Sequence, residues 1–241
     1  MRAETRHQLK QDAFTRVTME AAEKTAHWTV EHRSTLVIGV IVAAVVVTSI
    51  AGGWYYLSLQ DEKASLELSQ AVRTMQTPLR PAGSPPQPDY PSFASLKERS
   101  VAADKQLQAI VDKYPHTRTA DMARYLLGVN AANVGDSVLA ERDLKKVIST
   151  GNGELVSLAK LALASQYGNE KRTKEAIALY QELINKPTAS VSKNTAQLQL
   201  AELYQDSNQT ADAKRIYERI KKDSPNTEAA QLATEKMAQL K

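Results

Sequence analysis

Residues 200–225 read LAELYQDSNQTADAKRIYERIKKDSP, and residues 163–187 read LASQYGNEKRTKEAIALYQELINKP. Laid over one another, Leu163-Ala164 falls on Leu200-Ala201, Tyr167 on Tyr204, Ala176 on Ala213, Tyr180 on Tyr217 and Leu183 on Ile220, with Pro187 and Pro225 closing the two copies. Each copy holds two runs with apolar residues at helical spacing, joined by a polar turn. Working outward, the pattern of an Ala with apolar residues four and seven positions later recurs at Ala103/Leu107/Ile110 and Ala140/Leu144/Val147. The steps between these alanines are 140 − 103 = 37, 176 − 140 = 36 and 213 − 176 = 37. A small residue, Gly128, Ala164 or Ala201, stands twelve positions before the last three of them, where two closely crossing helices leave no room for a longer side chain. A regular step of this size with two helices per unit predicts an all-α solenoid of stacked helical hairpins.

These residues resemble the tetratricopeptide repeat, W-x2-L-G-x2-Y…A-x3-F…P. Leu127, Gly128, Ala140 and Leu144 match it, as do Ala176, Tyr180, Ala201, Tyr204, Ala213, Tyr217 and Pro225. The first Trp is missing throughout, Ala131 replaces the Tyr in one repeat, and Asn152 stands where a terminal Pro is expected. The first repeat is split. Leu68, Ala71, Val72 and Met75 give Asp61–Met75 a helical apolar face, and its partner helix is expected at about 92–114. Between them, residues 77–92 (TPLRPAGSPPQPDYPS) carry six prolines, which remove backbone donors and exclude a helix. A last amphipathic run at 226–240 is expected to cap the end of the solenoid.

Upstream lies a different kind of segment. Residues 35–57 (TLVIGVIVAAVVVTSIAGGWYYL) carry no charge over 23 positions. At about 1.5 Å per residue they span roughly 34 Å, enough for one transmembrane helix. Trp54, Tyr55 and Tyr56 lie at one end and Trp28 just before the other, where amphipathic rings favour the headgroup layer. A cleavable signal peptide is disfavoured, because 33 residues precede the run and it continues past the small-x-small site at Ser49 and Ala51. The division expected is a cytosolic segment at 1–34, a transmembrane helix at 35–57 and a repeat domain at 58–241 with a Pro-rich insertion at 77–92. Arg16, Lys24 and Arg33 flank one end against Lys63 and Arg73 at the other, which favours a cytoplasmic N-terminus and a repeat domain on the far side. Phe14, Val17, Ala21 and Trp28 give residues 1–33 one apolar helical stripe.

Composition narrows the chemistry. There is no Cys, so disulfides, thiolate metal sites and cysteine nucleophiles are excluded. The net charge of +4 comes from 31 cationic and 27 acidic side chains that are interspersed, which gives no single-sign field for nucleic acid. His7, His27 and His32 precede the apolar run, leaving His116 alone beyond it. No nucleotide-binding or zinc-protease motif occurs. Ser190-Val191-Ser192-Lys193 has the S-x-x-K spacing of serine–lysine hydrolases but none of their companion motifs. Neither an enzyme nor a cofactor is expected.

A short N-terminal segment ending in W-x4-H-R, one transmembrane helix, a helix rich in small residues and divergent repeats together resemble the ancillary SecYEG translocon subunit family of bacterial inner membranes; the related cell division coordinator shares the repeat domain. The resemblance implies a single-pass inner-membrane protein with a periplasmic repeat domain. Its partners would be translocon subunits, periplasmic chaperones or exported polypeptides. An envelope-assembly or division scaffold and an accessory subunit of a membrane enzyme are the alternatives. In the geometry of such repeats, the first helices line a concave groove. The groove-facing positions expected are Tyr125, Val129, Ala132 and Asn133, then Ser165, Gly168 and Asn169, then Glu202, Gln205 and Asp206. This set holds no cationic side chain to clamp a peptide's terminal carboxylate, and it grades from neutral to acidic.

Overall fold

A computed structural model of the chain describes residues 32–81, 83–85 and 92–240. The apolar stripe expected within residues 1–33 lies outside the described residues, as do residues 82 and 86–91 of the Pro-rich segment. The described elements are α1 (Arg33–Gln76), α2 (Leu96–Lys113), α3 (Arg118–Asn133), α4 (Ser137–Thr150), α5 (Gly153–Asn169), α6 (Thr173–Asn185), α7 (Lys193–Asp206), α8 (Thr210–Asp223) and α9 (Glu228–Gln239). No strand occurs among the described residues. Two compact units divide the chain, one ending at Tyr56 and the other beginning at Leu57.

In the first unit, the apolar part of α1 is long enough and hydrophobic enough to cross a membrane. Its side chains are exposed, from Val37 through Ile50 to Trp54, Tyr55 and Tyr56. Thr48 donates its hydroxyl to the Ala44 and Val45 carbonyls, and Ser49 donates to Val45. Polar groups satisfied within the helix meet the condition that hydrocarbon imposes.

The second unit is a run of helical hairpins, and from α2 onward each helix packs on the next in sequence. Sequence reading divides the apolar run at Leu57 from the helix at Asp61–Met75. The structure joins them in one helix, because Ser58, Leu59 and Gln60 include no residue that breaks it. From Ala64 onward α1 serves as the missing first helix. Ala64 and Ala71 are buried against Leu107, Ile110 and Tyr114 of the α2 hairpin partner and against Ala123 and Leu127 of α3. Polar ties reinforce the contact: Lys113 and the Tyr114 hydroxyl both donate to Glu67 Oε1, at 2.6 and 2.8 Å, and Asp61 accepts from the Thr119 amide at 2.9 Å. A second core runs from Leu144 to Leu203, and a third joins Ala201, Ala213, Tyr217 and Ile220 to Ala233 of the terminal helix.

The turns repeat as faithfully as the cores. Gly135, Lys171 and Asn208 all have positive φ, at 82°, 63° and 60°. One residue further on, Asp136, Arg172 and Gln209 donate their amides to the carbonyls of Ala131, Tyr167 and Tyr204, each at 2.8 Å. This left-handed closure with a six-to-one hydrogen bond satisfies the end of the first helix in each hairpin. Side-chain oxygens of Ser95, Thr117, Asp136, Asn152, Ser192 and Thr227 accept amide hydrogens at helix starts. Asn152 thus replaces the expected Pro with a cap, its Oδ1 accepting from the Leu155 amide.

The Pro-rich segment leaves and re-enters at one place. Leu79 and Phe93 form an isolated parallel bridge, the Arg80 amide donates to the Phe93 carbonyl at 2.9 Å, and Arg99 donates to the Thr77 carbonyl at 2.8 Å.

Candidate functional site

Two adjoining clefts open along the first helices of successive hairpins. One, of about 380 Å³, is lined by Val129, Ala132 and Asn133 of α3 and by Ala162, Ser165, Gln166 and Asn169 of α5, with Gly135, Ser137 and Glu170 at its edge. The other, of about 400 Å³, is lined by Ser165, Gly168 and Asn169 of α5 and by Gln199, Glu202, Leu203 and Asp206 of α7, with Lys171 and Tyr180 completing it. Ser165 and Asn169 belong to both. Val129, Ser165 and Glu202 occupy equivalent positions one helical turn before Asn133, Asn169 and Asp206, so the two rows lie along one face of each helix. α5 and α7 approach closely at this point: a Cβ added at Gly168 would stand 3.0 Å from Leu203 Cδ1.

Eight of the ten positions expected from sequence line these clefts. Tyr125 does not; its half-buried ring packs on the core that includes Leu144 and Leu163, and burial raises its hydroxyl's pKa. Gln205 also lines neither, being about 100° around the helix from Asp206. Lys171 and Tyr180 enter from the turn and from the second helix, beyond the reach of a rule that assigns the groove to first helices. The clefts therefore contain a cation, contrary to the sequence reading.

Glu202 is engaged as well. Lys236 of the terminal helix pairs with its Oε1 at 2.8 Å and Gln199 donates to its Oε2 at 2.9 Å. The acidic end of the groove is thereby reduced to Asp206.

Beside the first cleft, Arg172 ties two hairpins together. Its guanidinium pairs with Glu141 of α4 and with Glu170 and Glu175, and lies 3.9 Å from the centroid of the Tyr167 ring. Glu141 also pairs with Lys145 and accepts from the Tyr167 hydroxyl. Hydrogen bonds from Arg172, then from Lys145, hold the Glu141 carboxyl down to about 2. A carboxyl lowered from the ordinary value near ~4.3 contributes stability above that value, and the contribution is lost as pH falls toward about 2. Glu141→Gln is therefore expected to make thermal stability less steeply dependent on pH over this acid window. Part of the slope should persist, since Glu67, Glu154, Glu170 and Glu175 are lowered too. Equal slopes in melts of the two proteins would contradict the assignment.

Of the S-x-x-K residues, Ser190 donates its amide to Glu154 Oε2 at 2.8 Å and Lys193 pairs with Asp223 at 3.2 Å, while the intervening Ser192 caps α7. Among the described residues no group of acidic or histidine side chains could hold a metal ion.

A tetratricopeptide repeat-like domain family matches residues 26–183, and a tetratricopeptide repeat family matches residues 195–227. No curated protein and no solved structure matches the chain. Repeats of this kind build protein–protein interaction scaffolds. With more than half of its 241 residues inside the first match, and with the repeated hairpins, turns and crossings just described, the chain belongs to the tetratricopeptide repeat-like domain family.

Proposed function

We propose that this protein is a non-enzymatic scaffold held in a bacterial inner membrane by residues 35–57. Its N-terminus is cytoplasmic, and its repeat domain recruits partners in the periplasm beside the protein-export channel. The observation that carries this reading is the extent of the family match. It begins at residue 26, so the apolar run and the first repeats fall within one family unit. The flanking Lys and Arg, three against two, support the orientation. Translocon subunits, periplasmic chaperones and exported polypeptides are the partners this placement favours, and the two clefts are the surface that would hold them. Nothing in the clefts recommends a nucleic acid or a cofactor.

Photocrosslinking from position 133 or 206 in intact membranes tests the proposal. Ser165 is exposed and shared by both clefts, so Ser165→Arg should block an occupant while leaving the fold intact. Partner crosslinks should disappear in that variant, and also in a repeat domain released from its anchor, because tethering supplies the high effective concentration that weak contacts need. A reporter active only outside the cytoplasm, fused after Lys241, should be active. Crosslinks unchanged by Ser165→Arg would move the binding surface out of the clefts, and a silent reporter would overturn the topology.

A further inference from the structure

The second helix of the last hairpin, α8, sets its two sides sharply apart. Ala213, Tyr217 and Ile220 are buried in the core with Ile216 packed beside them, and the half of the helix turned away presents Lys214, Arg215, Arg219, Lys221 and Lys222, all exposed. From Lys214 to Lys222 the axis advances only about 12 Å. The acids nearby are mostly engaged. Asp212 pairs with Arg215 at 3.1 Å and Asp223 with Lys193 of α7 at 3.2 Å, so among the described residues Glu218 alone opposes Lys214, Arg219, Lys221 and Lys222, none of which has an ion pair. A helix C-terminus attracts cations, which accounts for Lys221 and Lys222 but not for Lys214 or Arg219. Arg142 and Lys146 of α4 stand at the positions equivalent to Arg215 and Arg219, two repeats earlier, and are exposed too. Successive first helices touch, α3 with α5, α5 with α7 and α7 with α9, whereas no two second helices do among the described residues, so the second helices form the outer, convex side. The cations therefore face away from the clefts.

Beyond Leu139 no large apolar side chain is exposed among the described residues. Protein–protein interfaces are centred on aromatic and aliphatic anchors, and this face offers none. What it offers is cationic charge spread along one helix, which suits an anionic lipid layer, where each Lys or Arg close to the headgroups adds to the attraction without inserting. Resting on the reading of residues 35–57 as the membrane anchor, we propose that the outer face of α8 docks on anionic phospholipid headgroups of the bilayer that holds the span. The attraction is electrostatic, reversible and weakened by salt, and the anchor keeps the lipid surface at a high effective concentration. The docked face lies opposite the side of α8 that packs on α7, so the clefts stay open to a partner.

The chain has no Cys, so Ala211→Cys supplies a single attachment point for a fluorophore on the exposed side of α8. The full chain is placed in nanodiscs of phosphatidylcholine, with or without phosphatidylglycerol, and both kinds carry a trace of lipid bearing a headgroup nitroxide that quenches at short range. Quenching should be at least about threefold stronger with phosphatidylglycerol, and the difference should vanish at about 1 M salt, where the Debye length is about 3 Å. Lys214→Glu/Arg219→Glu/Lys222→Glu should abolish it as well. These side chains are exposed and unpaired among the described residues, so helicity and melting should match the parent. The milder Lys214→Gln/Arg219→Gln should reduce the difference, which separates lost docking from a folding defect. Equal quenching in the two kinds of disc, or lipid-dependent quenching that both variants retain, overturns the docking while leaving the anchor in place. If the triple variant then also loses partner crosslinks in intact membranes, the face belongs to an acidic protein instead. A chain that fails to enter the discs overturns the anchor and the docking together.

Discussion

Tyr217→Ala is expected to cost the repeat unit about 3–5 kcal/mol, and Tyr217→Phe to stabilise it by up to about 1 kcal/mol. The ring of Tyr217 is fully buried in the last core, among Ala201, Ala213, Ile220 and Ala233, and these small neighbours cannot close the space it fills. Its hydroxyl, however, has no hydrogen-bond partner among the described residues. Burial pushes its pKa up to about 12, with the negative charges of Glu202 and Asp206 adding to the effect. A buried hydroxyl without a partner carries an uncompensated desolvation cost, which Phe removes while keeping the ring. Urea unfolding of the two variants against the parent measures both changes. A loss in Tyr217→Phe comparable to that in Tyr217→Ala would show that the hydroxyl is doing something the structure does not record.

The crossing of α3 and α4 should give the other large effect, in a form that two single substitutions cannot reveal. A Cβ placed on Gly128 would stand 2.8 Å from Leu144 Cγ, 3.0 Å from its Cδ2 and 3.2 Å from its backbone nitrogen. Gly128→Ala should therefore overpack the contact at a cost of about 1–3 kcal/mol. Leu144, which is fully buried, should cost about 2–5 kcal/mol as Leu144→Ala, through lost burial and an unfilled cavity. In the double variant the added methyl enters space that Leu144 has vacated. The combined loss should fall short of the sum by about 1 kcal/mol or more, a coupling that residues in direct contact commonly show. Additive losses would mean that the helices, rather than the Leu144 side chain, yield to the added methyl.

The regular spacing of Ala103, Ala140, Ala176 and Ala213 made the hairpins legible before any coordinates, because one buried small residue per repeat is a demand of packing that chain sequence cannot disguise. Of the ten groove positions expected from that spacing, eight line the clefts. Its reach ended where a second element comes over the surface. Lys236 is thirty-four positions from Glu202, and periodicity within α7 carries no information about the helix that neutralises it. The Arg172 cluster was hidden for the same reason: Glu141, Tyr167 and Arg172 belong to three different segments, and only the stacking of hairpins brings them together. At Asn152 the sequence shows only that the expected Pro is absent; that its side chain caps a helix start is a property of the fold.

The pinned neck at Leu79 and Phe93 has a practical use. Since the chain departs and returns at neighbouring points, the repeats do not depend on the path taken in between, and doubling the length of a flexible excursion adds only about 0.6 kcal/mol of closure entropy. An affinity tag or a small fluorescent protein spliced between Gly83 and Ser84 is then expected to leave both chain ends and the repeats untouched, so this protein could be followed in living cells without altering either terminus.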